Sequence, residues 1–511
     1  MKHKKGATHL KKKENLILIN SLNSLNRNPK SWLQQQAMLH PDAPACQWND
    51  ECLTFGELSS KVQSYADYYH RTLPESSKRV ALYNENDLTA YLSILALWEL
   101  GKEIQFVNTR LTANEINEQL ADAETSILIS AKKIMINEQV TIHPLPDSSE
   151  LRELLSEEWF DNGYQEQEVA SIMYTSGTTG KPKGVPQTFA NHFASAQATS
   201  LSLGVEASDS WVCCVPLYHI SGLSILLRSL VLGIQVILLP GFAPQQVHQL
   251  LMNGKGTYIS LVTKMLKDLE PLIPDRGYSP SFKHVLLGGG PGEERVLHSC
   301  LKKQVPVMLS YGMTETCSQI VALPPEAVLT KIGSSGKALS GVSIHIQKNT
   351  KTEQMGEILV KGPSIVQCYL NQVSLESWTE DGWFHTGDWG YLDKEGYLYI
   401  VSRMSEQIIS GGENIFPVEI ERVLLASDKI AEAIVVGCPD DTWGQTPVAY
   451  VKLREPLVDG ELNEALTSLA RYKHPTQIYS VSEIPKTVTG KPIKRLFMTK
   501  ERVKYIEYQI R

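Results

Sequence analysis

The sequence predicts an α/β protein: a large N-terminal domain of layered, largely parallel sheets with helices, then a small mobile C-terminal α+β domain. Three observations predict it. Short β-branched or apolar runs alternate with longer amphipathic ones from about Ser31 onward. After about position 380 the punctuation changes to closely spaced turn signals. With 511 residues and 42% apolar content, the chain is too long for one compact core and ordinary in its globular composition.

Taken in order, residues 1–30 read as a disordered tail. Lys2, Lys4, Lys5, Lys11, Lys12 and Lys13 crowd its start, and the apolar run Leu16–Ile19 is too short for the core of a signal peptide. Val80–Tyr83, Ile104–Val107 and Ile127–Ile129 read as strands separated by helical stretches, the first of these being Leu88–Leu100. Trp211–Val215, Val236–Leu239, Tyr258–Leu261, Val285–Leu287 and Val307–Leu309 continue the pattern, with an apolar helix near Leu223–Leu232. Asp381-Gly382, Lys394-Glu395-Gly396 and Gly411-Gly412 then mark hairpin turns. A helix at about Val418–Leu425, strands at Ala433–Val436 and Val448–Leu453, and a helix at about Leu462–Tyr472 complete the chain. The expected domains are 31–403 and 404–511, with a hinge near Ser405.

Composition excludes several classes. A net charge of −7 removes the whole-chain basic excess of a nucleic-acid binder. The most apolar window, Ile225–Leu239, is interrupted by Arg228, Ser229, Gly233 and Gln235, so no stable membrane insertion is expected. Eight scattered cysteines without a C-x-x-C pair read as reduced, buried thiols of a cytoplasmic protein. The sequence leaves room for a homo-oligomer and does not specify one.

Chemistry concentrates first in MYTSGTTGKPKGVPQTFANH, residues 173–192. An apolar strand runs into a loop of Thr175, Ser176, Gly177, Thr178, Thr179, Gly180, Lys181 and Lys183. Small hydroxyls, glycine-exposed N–H groups and ammonium groups suit a polyphosphate. Only Thr178 and Thr179 separate Gly177 from Gly180, and Pro182 follows Lys181, so this is not a Walker A loop. Pro182 should keep the segment a loop.

This string resembles the phosphate-binding signature of the adenylate-forming superfamily, which holds the acyl-CoA synthetases and other AMP-binding enzymes. Further strings fit in the same order, and the resemblance spans roughly Ser31 to Leu496. The resemblance implies that His219, in PLYHISGLS, helps orient the acid carboxylate. Gly288, Gly289 and Gly290, in HVLLGGGPG, lack Cβ atoms and would let a flat ring approach the backbone. In LSYGMTETCSQI it implies Tyr311 and Gly312 at adenine, Thr314 at the α-phosphate and Glu315 as the Mg²⁺ carboxylate. Asp388, in the Thr386-Gly387-Asp388 run, would accept from the ribose hydroxyls, and Arg403 would add a second contact. Gly411 and Gly412 resemble the loop that meets the CoA arm. Lys491, after Gly490, matches the family lysine that stabilises charge during adenylation. Ser402 and Glu406 depart from the aspartates many relatives carry there.

The implied activity is ligation of a carboxylic acid to CoA, using ATP and Mg²⁺, through an acyl-adenylate. The joined strings, above all the Thr314–Gln319 run, look most like bacterial o-succinylbenzoate–CoA ligases of menaquinone synthesis. Ser221, Ser318 and Gln319 are candidates for the polar part of such an acid pocket. A broader aryl- or fatty-acyl-CoA ligase, or a catalytically dead nucleotide-binding homologue, stand as alternatives.

Overall fold

The computed structural model describes residues 30–154, 158–160, 162, 164–176, 182–348, 355–372, 375–410, 413–457, 462, 466–467, 469–486, 492–498 and 504–509. The lysine-rich tail, Gly177, Thr178, Thr179, Gly411, Gly412 and Lys491 lie outside these residues, as do residues 463–465 and 468 of the helix expected at Leu462–Tyr472, whose last residues fall in a short 3-10 turn, Arg471–Lys473. The chain divides into two compact units: Met1–Ser343 with Val360–Phe384, and Ile344–Leu359 with His385–Arg511.

The larger unit is built on two sheets. In the first, Thr141–His143, Ile127–Ser130, Arg79–Tyr83, Glu103–Phe106 and Val169–Ser176 run parallel in that spatial order. Pro182–Thr188 closes it as an antiparallel edge strand. In the second, Pro44–Trp48, Gln235–Leu238, Ser210–Cys213, Tyr258–Val262, His284–Gly288 and Val307–Met313 are parallel neighbours. Ser318–Leu323 and Ser334–Ala338 then add antiparallel strands. The parallel strands are near-continuous apolar runs because helices cover both faces.

Local chemistry accounts for the helices that matter here. Phe189–Leu203 begins at Thr188, whose hydroxyl accepts from Asn191 N–H while the Asn191 side chain accepts from Thr188 N–H. That reciprocal cap satisfies two orphan donors, and Gly204 ends the helix at φ +65°. Ile220–Leu232 is buried over most of its circumference and ends at Gly233, φ +68°. The core joins both helices to Leu88–Glu99, whose Trp98 is fully buried.

The smaller unit carries the Phe384–Leu392 and Leu398–Arg403 hairpin. Its second sheet orders Glu413–Ile415, Ile408–Ser410, Gly444–Leu453, Gln477–Val481 and Ile506–Gln509, with Ile430–Asp440 also on Gly444–Leu453. Pro417 opens the Pro417–Leu425 helix, where its missing N–H costs nothing. Ile420 and Leu424 pack into a core with Ile408, Val435, Ala449 and Ile478.

One expectation needs correction. Thr175 and Ser176 end one strand, and Pro182 and Lys183 begin the next, so only residues 177–181 separate the strands of this hairpin. Prolines at 182 and 186 are tolerated because that strand lies at the sheet edge. The compact units interleave along the chain, Ile344–Leu359 grouping with His385–Arg511. The Phe384–Leu392 strand bonds to the 357–358 segment, Thr386 Oγ1 donating to Ile358 O and Gly387 N–H to Glu357, which draws both into the smaller unit.

Candidate active site

Thr314 and Glu315 sit at the tip of the antiparallel hairpin formed by Val307–Met313 and Ser318–Leu323. The turn is tight. Gly312 is required there, because a Cβ would lie 2.0 Å from the Ser318 carbonyl oxygen. The Thr316 hydroxyl lies 2.7 Å from that same oxygen and accepts from Met313 N–H. Tyr311, one position earlier, is half-buried and Gly312 exposed, which leaves this edge accessible to a ring.

Glu315 is buried, 8% exposed, where a solvated carboxylate is the default for a lone glutamate. The Tyr369 hydroxyl donates to its Oε1 at 2.9 Å, and Thr175 Oγ1 lies 3.5 Å from the same atom. No lysine or arginine pairs with it among the described residues. A buried carboxylate with hydroxyl neighbours and no cation is suited to a divalent metal. Among the described residues no group of three His, Cys, Asp or Glu side chains could hold one. Mg²⁺ takes one or two carboxylates and completes its shell with phosphate oxygens and water. Lys183 lies over the Tyr369 ring at 4.8 Å, so Tyr369 touches both the candidate phosphate ligand and the candidate metal ligand. Gln187 Nε2 donates to Thr314 O at 2.7 Å and fixes the start of the turn.

The glycine run is braced from both sides. Gly288 ends its strand with Ser310 Oγ 2.9 Å from where a Cβ would be, Gly289 holds φ +79°, and Thr263 Oγ1 donates to Pro291 O. A side chain at 288 would collide, so the exposed backbone of Gly289 and Gly290 is the surface this loop offers.

His219 is the N-cap of Ile220–Leu232 but makes no capping bond. Its ring packs edge-on against Tyr218, and its Nε2 is shielded without a partner among the described residues. Burial, reinforced by the Arg110 charge, pulls the imidazole down to about 4. A neutral ring with a free nitrogen can donate to or accept from a carboxylate without charging first.

Further along that helix lies a residue the sequence reading used only to reject a membrane span. Arg228 is 1% exposed and packs 4.9 Å from the Trp211 ring. Its Nη2 donates to Ser318 Oγ at 3.0 Å, and its Nε has no partner. Among the described residues no carboxylate pairs with it. Burial draws it down to about 9, which leaves it cationic at neutral pH. Ser224, four residues earlier on the same face, lies 3.4 Å from Ser318 Oγ. Of the polar candidates named from sequence, Ser318 meets Arg228, whereas Gln319 turns to Thr199. One arginine inside an apolar helical run, Ile225–Val231, was the available signal.

In the smaller unit, Asp388 and Arg403 face each other across the hairpin and pair at 2.7 Å. Asp388 is buried, 3% exposed, and Gly387 turns the chain into it at φ +69°. Arg403 thus holds the Asp388 carboxylate. Glu406, one of the two departures, pairs at 2.9 Å with Lys494, which also pairs with Glu421. Burial pulls the Lys494 ammonium down, but Glu421 and Glu406 outweigh it and hold it above the usual lysine value. Cys46, Cys213, Cys214, Cys300 and Cys317 are buried free thiols, while Cys52 and Cys368 are exposed. Among the described residues no helix is long and apolar enough to cross a membrane.

Comparison with known proteins decides the family. Residues 33–370 match the AMP-binding enzyme model, and 419–491 match the AMP-binding enzyme C-terminal domain. The chain belongs to the AMP-binding enzyme family. Among AMP-binding enzymes, it is 48% identical to a 2-succinylbenzoate–CoA ligase of Enterococcus faecalis, covering 93% of this chain and 99% of the relative. A 2-succinylbenzoate–CoA ligase of Listeria monocytogenes is 44% identical over 90% of this chain and 97% of its own. The Bacillus subtilis o-succinylbenzoate CoA synthetase, solved with its acyl-adenylate intermediate, superposes with a TM-score of 0.84 at 37% identity, covering 92% and 98% of the two chains. The same enzyme solved with ATP and magnesium gives 0.83 at 37%, covering 91% and 98%.

Proposed function

We propose that this AMP-binding enzyme joins 2-succinylbenzoate to CoA through an acyl-adenylate, a step that the sequence resemblance places in menaquinone (vitamin K2) synthesis. The observation that carries the choice of acid is Arg228. A buried guanidinium without an anion is costly, and a group in that state is expected to meet one from a ligand. An acid with two carboxylates offers one for activation and one for Arg228. A fatty acid would place methylenes against an unpaired charge, which disfavours the long-chain alternative.

In the first half-reaction the acid carboxylate attacks the α-phosphorus of ATP and pyrophosphate leaves. Neutral His219 orients the attacking carboxylate, and Thr314 contacts the α-phosphate. The hydroxyls of Thr175, Ser176, Thr178 and Thr179, the N–H of Gly177 and the Lys183 ammonium take the outer phosphates. Glu315 would hold Mg²⁺, which would supply charge neutralisation to the phosphates. Adenine lies against Tyr311, Gly312 and the Gly288–Gly290 backbone, and Asp388, oriented by Arg403, accepts from the ribose. Lys491 stabilises the charge that develops between carboxylate and phosphate. In the second half-reaction the CoA thiol attacks the acyl carbon and AMP leaves, with Gly411 and Gly412 serving the CoA arm and a hinge near Ser405 separating the two steps.

The test is AMP release with ATP, Mg²⁺ and CoA over a panel of acids. 2-Succinylbenzoate should exceed benzoates and straight-chain fatty acids by at least 10²-fold in kcat/KM, the scale of a lost charged hydrogen bond. Equal turnover of several unrelated aryl acids would overturn the choice of acid, and no pyrophosphate exchange with any acid would overturn the ligase reading.

A further inference from the structure

The segment that presents Ser318 to Arg228 is held in a backbone conformation its residues do not favour. Cys317 sits at φ +51°, ψ +44°, and Ser318 at φ +98°. Both carry a Cβ, and such values persist only where surroundings impose them. The peptide unit between the two residues is the hinge of this arrangement, because its plane sets ψ of Cys317 and φ of Ser318 together.

One hydrogen bond pins that plane. Ser195 Oγ, on the Phe189–Leu203 helix, donates to the Cys317 carbonyl oxygen at 2.6 Å, with both residues buried. The same helix face is tied to the 314–319 segment once more directly and once through two intermediate side chains. Thr199, one turn on, meets Gln319 Nε2 at 3.3 Å. His192, one turn earlier, lies 2.8 Å from Ser171 Oγ, which donates to Gln187, and Gln187 bonds Thr314 O. Of these contacts, only the one from Ser195 reaches the carbonyl that controls Ser318.

We propose that Ser195 is a specificity-determining positioning residue: by pinning the Cys317–Ser318 peptide it aims the Ser318 hydroxyl at Arg228 and fixes the guanidinium for the second carboxylate of the substrate. Ser195 touches no reacting atom. Without its hydroxyl, the peptide can rotate toward a negative φ at Ser318, the Ser318–Arg228 bond is lost, and Arg228 keeps its charge but not its aim. The inference rests on the reading of Arg228 as the seat of the second carboxylate.

The experiment compares two acids on each enzyme preparation: 2-succinylbenzoate and 4-oxo-4-phenylbutanoate, which keeps the keto acid chain but lacks the ring carboxylate. The readout is the ratio of their kcat/KM values, which is independent of the fraction of enzyme that is folded. Ser195→Ala should lower this ratio about tenfold through KM for 2-succinylbenzoate, the size of one lost hydrogen bond, with KM for ATP within about twofold of the parent. Ser195→Thr, which keeps the hydroxyl, should restore the ratio. An unchanged ratio in Ser195→Ala, or equal losses for both acids, overturns the positioning role. Arg228→Met run alongside separates the two ideas. If it collapses the ratio while Ser195→Ala does not, the Arg228 reading stands and the Ser195 inference fails. If Arg228→Met leaves the ratio intact, both fail.

Discussion

Tyr369 and Glu315 are joined by a 2.9 Å hydrogen bond in which the phenol donates to the buried carboxylate. Because Lys183 also lies over the Tyr369 ring, this tyrosine joins the proposed metal ligand to the proposed phosphate ligand. A bond to a charged acceptor contributes about 1.5–3 kcal/mol. Tyr369→Phe should therefore reduce ATP–pyrophosphate exchange by about 10-fold and raise the Mg²⁺ concentration for half-maximal rate. Glu315→Gln, which removes the negative charge itself, should cost more, about 10²–10³-fold. A Mg²⁺ titration of both variants checks this; an unchanged half-saturation in Glu315→Gln would remove Glu315 from the metal site.

Arg228 supports a prediction in which stability and activity move in opposite directions. The guanidinium is buried, paired by no carboxylate among the described residues and partly compensated by Trp211 and Ser318. Replacing an under-compensated buried charge with an apolar side chain of similar length removes a desolvation cost. Arg228→Met should leave the ligand-free protein at least as stable as the parent, while kcat/KM for 2-succinylbenzoate falls by about 10²-fold or more. Thermal unfolding without ligand, beside steady-state kinetics, checks both halves. A drop in melting temperature alongside the activity loss would mean that Arg228 is a structural group.

Much of the fold was legible because it is periodic. Val80–Tyr83, Ile127–Ile129 and Tyr258–Leu261 are buried parallel strands, which need uniformly apolar runs, and each occurs as expected within a residue or so. Pro182–Thr188 was not legible, since two prolines argue against a strand unless its edge position is known. The site divides in the same way. Residues clustered in strings could be read, whereas contacts made across the fold could not. Tyr369 stands 54 residues from Glu315, Arg228 stands 90 from Ser318, and no local pattern announces either pair. The Asp388–Arg403 pair is intermediate. The Lys394–Gly396 turn lies midway between them, so the hairpin places them opposite each other, although each string taken alone points its residue at the nucleotide.

Acid should destabilise the larger unit through two histidines. Burial pulls His192 down to about 3, and burial with the Arg110 charge pulls His219 down to about 4. In the unfolded chain both titrate near 6.5. Above that pH both states are neutral and stability is unaffected. Below it the unfolded chain binds protons that the native protein refuses, so stability falls as pH drops toward 4, by up to about 1.4 kcal/mol per pH unit for each histidine. His192→Gln should flatten this decline by about one histidine's worth between pH 6 and pH 5, whatever it does to stability at pH 8. Denaturant midpoints at these pH values test the sign; an unchanged slope would show that His192 takes up its proton in the native state.

Lys491 carries the last prediction, and here the two half-reactions should separate. An ammonium placed where the carboxylate oxygen meets the α-phosphate acts only while negative charge is redistributed there, which makes it a transition-state contact of adenylation. Thiol attack on the adenylate expels AMP from a different bond, and in the proposed mechanism a separate glycine pair, Gly411-Gly412, serves that step. Lys491→Ala should accordingly slow pyrophosphate exchange by about 10²–10³-fold, on the order of 3–4 kcal/mol. CoA transfer from chemically prepared acyl-adenylate should slow by much less. Single-turnover assays of each half-reaction decide it. Matching losses in both would overturn the separate roles proposed for Lys491 and for the Gly411-Gly412 pair.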